Sequence, residues 1–181
     1  MPKVLSRKPV STSRLFTIEQ IDLVFGQDKH RTFERVCGVG YGSVMIVPVC
    51  ADGRFMLIRE YAAGIDQYVL SFPRGGVDQN ESFLQAADRE IKEEISCGAH
   101  QLTHIMSFSA SPGYFNSHTQ LILAEDLYPC AMPGDEPESL EVSKWSLSQV
   151  DTLLAHPEFI DARSMTALLW LERRQRAHAA N

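Results

Sequence analysis

The sequence predicts a mixed α/β fold in which a sheet system is covered by helices. Short apolar or alternating runs recur as strand signals between Leu15 and Ala124. After Ser82 the period changes, and Leu84, Ala87, Ile91 and Ile95 recur at helical spacing. Two more helical stretches follow near the end of the chain.

Met1 to Arg14 carries basic residues but no long apolar core of the kind a secretory leader would have. It is expected to be a flexible tail over residues 1–13. Leu15 to Phe25 alternates as a strand, Gly26-Gln27-Asp28-Lys29 is a turn, and Arg31 to Val36 returns. Residues 14–40 thus form an N-terminal β-hairpin subdomain ahead of a main domain at 41–181. Val44 to Val49 suits a buried strand, and Phe55 to Glu60 is expected to pair with it across Asp52-Gly53. Tyr68 to Phe72 is a strand leading into the turn Pro73-Arg74-Gly75-Gly76, where bare backbone can approach other groups.

Ser82 and Gln85 fit a capping box at the start of the central helix, with Asn80 as a competing cap. His104 to Ser109 and Gln120 to Ala124 read as strands around the loop Ser111-Pro112-Gly113-Tyr114. Tyr128 to Ser139 is rich in Pro, Gly and acids and reads as a loop. Ser148 to Ala155 and Ala162 to Arg176 read as helices, the second packing through Met165, Leu168, Leu169 and Leu171, with Trp145 and Trp170 against them.

A chain of 181 residues suggests one domain with a small appendage, and 44% apolar residues suffice for a sizeable core. The net charge of -6 argues against nonspecific binding of nucleic acid, which needs basic surface. Cys37, Cys50, Cys97 and Cys130 lack Cys-x-x-Cys spacing and read as reduced thiols of a cytoplasmic protein. No apolar run is long enough for a membrane span.

The chemistry concentrates on Glu90, Glu93 and Glu94. At about 3.6 residues per turn these carboxylates share one helix face, where like charges repel. A divalent cation with oxygen preference, such as Mg2+, would compensate them and recruit phosphates. A Glu-rich helix face is more often plain solvated surface. Here, however, a glycine turn precedes it, and Glu81 and Arg89 bracket the first turns, spaced to pair and orient the platform.

Gly75, Glu81, Arg89, Glu90, Ile91, Glu93 and Glu94 together resemble the signature of the Nudix hydrolases, Gly-x5-Glu-x7-Arg-Glu-(apolar)-x-Glu-Glu-x-Gly. Ser96 stands where that family usually has Gly; Gly98 follows, so the helix end is expected to shift by a residue or two. The resemblance implies an α/β/α sandwich preceded by an N-terminal antiparallel sheet that helps form a homodimer. It also implies Mg2+, with Mn2+ as a substitute, at two or more ions per site. Glu90 and Glu94 would be the main ligands, Glu93 would share a metal and serve catalysis, and the Arg74 carbonyl would be a further ligand. Glu81 would act through water, and Arg89 would orient the carboxylates.

Further stretches, including Ser13-Arg14-Leu15-Phe16-Thr17, Leu57-Ile58-Arg59-Glu60-Tyr61-Ala62 and Gly134-Asp135-Glu136-Pro137-Glu138, look like the ADP compounds hydrolases, a bacterial branch of that family. This implies release of AMP from ADP-ribose, NADH or diadenosine polyphosphates. Ala62 and Ser71 depart from the broader branch, where many members carry Arg and Glu. The general base is expected on the loop after the motif, at Glu136 first and Glu138 second; an ordinary acidic loop is the plain alternative. Arg59 and Arg74 are candidate diphosphate contacts, and Phe16, Tyr114 and Phe115 candidate adenine contacts, against the plainer readings of surface and core. A nucleotide-sugar pyrophosphatase acting on a GDP-mannose-like substrate, or a noncatalytic nucleotide sensor, would use the same fold. The retained glutamates speak against the sensor.

Overall fold

The computed structural model describes residues 1–38 and 40–179. Alternation within single strands divides its core. On β4 (Ser43–Pro48), Val44 and Ile46 face one way and Met45 and Val47 the other, all with no exposure. β5 (Phe55–Ala62) does the same with Met56 and Ile58 against Phe55 and Leu57. So does β9 (Thr119–Pro129), with Ile122 and Ala124 against Leu121 and Leu123.

One set packs on α1 (Phe83–Glu94) through Ala86, Ala87 and Ile91. The other packs on α2 (Val150–Leu154) and α3 (Ala162–Ala179) through Leu153, Ala167, Leu168 and Leu171. Strands buried on both faces and covered by helices on both sides make the expected mixed α/β/α sandwich.

The sandwich contains two sheets. One has the order β7-β4-β9-β8, with β7 at Arg74–Gly76 and β8 at Cys97–Phe108. Its β4–β9 pair is parallel and its other pairs are antiparallel. The second has the order β10-β5-β6 and is antiparallel, with β6 at Gln67–Ser71 and β10 at Glu141–Trp145. The hairpin expected across Asp52-Gly53 does not form: β4 and β5 share only a bridge between Val49 and Phe55 and then enter different sheets. The parallel partner β9 and the motif strand β7 occupy both edges of β4, leaving no room for β5.

The expected flexible tail is a strand. β1 (Lys3–Thr12) pairs antiparallel with β2 (Phe16–Phe25), which pairs in turn with β3 (Lys29–Gly38). Every β1 residue is exposed, so it leaves no apolar pattern in the sequence. Its order comes from the backbone ladder, with Pro9 tolerated on an edge strand beside a bulge. No helix among the described residues is long and apolar enough to cross a membrane.

Both halves of the capping box at Ser82 and Gln85 form, so α1 starts where expected. At its other end the helix does not shift towards Gly98. Ile95 is the C-cap, and Ser96 itself takes the left-handed conformation, φ 56°. That position favours Gly because a side chain crowds the backbone there. Ser96→Gly should therefore stabilise the fold by about 1 kcal/mol in urea unfolding, the scale of that crowding. A destabilised variant would show that Ser96 makes compensating contacts.

Candidate active site

The glycine turn is clamped from both sides. Phe72 is fully buried, and its backbone N–H donates to the buried Ser164 Oγ at 3.1 Å. Ile46 N–H donates to the Pro73 carbonyl at 2.8 Å. This lays Arg74, Gly75 and Gly76 across the carboxylate face of α1. Arg74 N–H donates to Glu94 Oε2 at 3.0 Å. Gly75 comes so near Glu90 that a Cβ there would collide with the carboxylate, so close approach requires glycine at this position.

Helical spacing puts Glu90 and Glu94 on the buried side of α1, each only 7% exposed. Arg89 gathers their neighbours. It donates to Glu81 Oε1 and Oε2 at 3.0 and 3.1 Å, to Glu90 Oε1 at 2.8 Å, to Glu93 Oε2 at 3.1 Å and to the Gly76 carbonyl at 2.9 Å. The expected Glu81–Arg89 pair is therefore present. The Arg74 guanidinium donates to Ser71 Oγ at 2.6 Å and Glu60 Oε2 at 2.9 Å. Glu60, Arg74, Arg89, Glu90, Glu93 and Glu94 line a cleft of about 620 Å³, closed on another side by Pro133 to Pro137. The helix carboxylates and Glu136 thus meet in one cleft.

The electrostatics are those of a desolvated acidic floor. Burial, then Glu90 and Glu60, push the Glu94 carboxyl up to about 9, against the Arg74 N–H and guanidinium. Burial also raises Glu90, with Glu93 and Glu136 adding to it and Arg89 opposing. Glu81 is held low by its bonds to Arg89. Paired carboxylates in low dielectric with oxygen-only donors fit a hard divalent cation, which would replace the proton that Glu94 otherwise keeps. Among the described residues no three acidic, His or Cys side chains already converge on one point, because Arg89 draws Glu81, Glu90 and Glu93 onto itself.

The other sequence candidates do not line this cleft. Glu138 does not line this cleft, but it borders an adjoining cavity of about 360 Å³ together with Glu93, Glu94 and Glu136. Arg59 is engaged by Glu158 at 2.8 Å and Glu141 at 3.3 Å. Phe16, at the start of β2, and Tyr114, whose carbonyl accepts from Val36 N–H at 2.7 Å, do not border the cleft within one copy of the chain. Glu60 went unremarked in the sequence as an acid of the cleft. Its one available signal was β5 alternation, which puts it two residues beyond the buried Ile58 on the same face.

The NUDIX domain family matches residues 41–169. The chain belongs to the Nudix hydrolase family. The NudE-type Nudix hydrolase N-terminal domain matches residues 2–35, a span that includes β1. The chain is 42% identical to the ADP compounds hydrolase NudE of Escherichia coli K12, over 94% of both chains. It is 24% identical to the ADP-ribose pyrophosphatase of Bacillus subtilis 168, over 98% of both. A crystal structure of an ADP compounds hydrolase superposes with a TM-score of 0.87 at 41% identity, covering 98% of this chain and 95% of that one. The protein is thus a Nudix pyrophosphohydrolase, and the carboxylate cleft carries the motif of that family.

A raised carboxyl has a consequence for stability. Between pH 4.5 and about 9 the unfolded chain has released the Glu94 proton while the folded chain still holds it. Stability contributed by Glu94 therefore falls as pH rises through that window. Glu94→Gln should melt higher than the parent in EDTA, by about 2–4 °C for each ~1 kcal/mol relieved. The difference should be larger at pH 8 than at pH 5. Equal melting at both pH values would mean that Glu94 is ionised in the fold.

Proposed function

We propose that this Nudix hydrolase cleaves the diphosphate bond of ADP-X compounds, such as ADP-ribose, NADH and diadenosine polyphosphates, with water as nucleophile and AMP as product. The observation that carries the reading is the meeting of Glu90, Glu93 and Glu94 with Glu136 across one cleft. The likeness to the Escherichia coli enzyme supports the substrate class.

Glu90 and Glu94 would hold Mg2+, or Mn2+ in its place, at two or more ions, with Glu93 and the Arg74 carbonyl sharing. Such ions neutralise a diphosphate and make water more acidic. The chain's own groups do the rest. Arg89 keeps Glu81, Glu90 and Glu93 in one plane of contact. The bare Gly76 backbone, open where a Cβ would stand, leaves room for a phosphate beside it. Glu136, half-buried on its loop, accepts the proton of the attacking water.

Purified protein with Mg2+ should release AMP from ADP-ribose, NADH or diadenosine triphosphate, and EDTA should abolish release. Glu93→Gln and Glu136→Gln should each lower kcat by about 10²–10⁴-fold, the range for losing a proton-transfer group, with little change in KM. GMP from GDP-mannose alone would assign the enzyme to nucleotide-sugars. Nucleotide binding without any cleavage would leave the sensor.

A homodimer through the N-terminal sheet is part of the same proposal. Leu5, Val10, Phe16, Phe25 and Phe33 turn apolar surface outward there, and such patches mark interaction sites. Light scattering at micromolar concentration should give twice the chain mass, and a monomer at every concentration would sink the dimer.

A further inference from the structure

The cleft is acidic, and among the described residues that line it only Arg74 and Arg89 carry positive charge. Arg89 has no donor left to offer an anion. A guanidinium carries five N–H groups. Those of Arg89 go to Glu81 twice, to Glu90, to Glu93 and to the Gly76 carbonyl. Arg74 differs. Its Nη1 donates to Ser71 Oγ at 2.6 Å and its Nη2 to Glu60 Oε2 at 2.9 Å. Its Nε–H and one N–H on each Nη have no acceptor among the described residues. The spare cationic donors of the cleft are therefore those of Arg74.

Both anchors of this guanidinium stand on one strand pair. Ser71 ends β6 with no exposure, opposite the equally buried Ile58. Glu60 lies two positions beyond Ile58 on β5, opposite Val69, so the two acceptors face the same side. Arg74 itself leaves from β7, where its backbone pairs with Met45 and its N–H is bonded to Glu94. The side chain thus reaches from the glycine turn to the second sheet. Glu60 accepts no other side-chain hydrogen bond among the described residues. A further carboxylate beside the acidic floor is unfavourable by itself, and Glu60 is among the charges that raise Glu94. Holding Arg74 accounts for its place.

We propose that Glu60 and Ser71 are positioning residues, which hold the Arg74 guanidinium as the arm that meets the substrate diphosphate. The proposal rests on the diphosphate substrate read above. Arg74 touches the substrate, and Glu60 and Ser71 act through it. A free side chain of this length would lose its rotamer freedom on binding, whereas one held by two acceptors has lost it already. Because the guanidinium is planar, its remaining donors are fixed by the two bonds it has made.

The test is a binding cycle with ADP, which carries a diphosphate, read by calorimetry in Mg2+. Each variant is measured well below its melting temperature, so that loss of fold is not read as loss of binding. Arg74→Met should weaken ADP about ten- to a hundredfold, the range for hydrogen bonds to a charged group. Glu60→Ala should weaken it about three- to tenfold, the cost of ordering one long side chain, and KM for ADP-ribose should rise in step. Ser71→Ala, which leaves every charge in place, should do the same. Glu60→Gln, whose amide oxygen still accepts from Arg74, should bind ADP at least as well as the parent. In the Arg74→Met background Glu60→Ala should bring no further weakening. Glu60→Ala and Glu60→Gln tightening ADP alike would make Glu60 a mere repeller of the substrate and overturn the proposal. So would an Arg74→Met that binds ADP like the parent, or a Glu60→Ala loss that persists in full beside Arg74→Met. A parent that binds ADP but cleaves no ADP-ribose would sink the ADP-X reading alone, because the cycle judges the arm without turnover.

Discussion

A pair of desolvated acids only partly offset by Arg89 and Arg74 is the constraint on which the rest of the site depends. Glu90 and Glu94 are buried, and Arg89, the Arg74 N–H and the Arg74 guanidinium offset them. Coulomb repulsion in such surroundings would splay the acids apart if α1 were free to yield. It is not free, because Ala86, Ala87 and Ile91 bind it to the sheet with no exposure. Apolar packing on one face thus holds together charges that repel on the adjacent one. The imbalance left over is what the proposed divalent cation would offset.

The sheets serve that arrangement. β7 is only three residues long, yet it lies against both β4 and α1 and carries Gly75 over Glu90. Behind it, Ser164 at the start of α3 reaches through to Phe72, so helices from both layers fix the same turn. Asp161 accepts from Ser164 N–H and Oγ, which orients that hydroxyl. The acids come from one helix and Glu136, which faces them, from a loop some forty residues later. β9 and β10 bring the two together.

How much of this was legible from the residues depended on where the information resides. The central helix was readable because Ala87, Ile91 and the Ser82–Gln85 box encode it locally, although Leu84, at the same spacing, is exposed rather than part of the buried stripe, and the glutamates could be placed on it by counting. The motif spacing then fixed the family. Pairing partners were harder. Val44–Val49 and Phe55–Glu60 both read as strands, but nothing within them says that β9, far along the chain, claims the edge of β4. β1 escaped notice because a strand held by its ladder alone has no buried face to mark it. Glu60 lies outside the motif, and its place in the cleft arises from Arg74, brought in by β7. The Ser96 departure was visible, but its outcome was not. The helix keeps its end and accepts a left-handed serine, because Cys130 N–H is bonded to the Ser96 carbonyl.

The parallel β4–β9 pair also carries a loop-closure cost that bears on folding. Its first partners, Ser43 and Thr119, are 76 positions apart, and α1 lies inside the loop they close. Closing so long a loop is slow and comes before its contacts can reward it. A chain that has formed α1 but not this pair has its acids on a water-exposed helix, with no glycine turn over Glu90 and no Glu136 opposite. Such a species offers cations little more than any acidic peptide does. The proposed ion binding would therefore belong to the completed sheet, and by mass action it would draw the population towards that state.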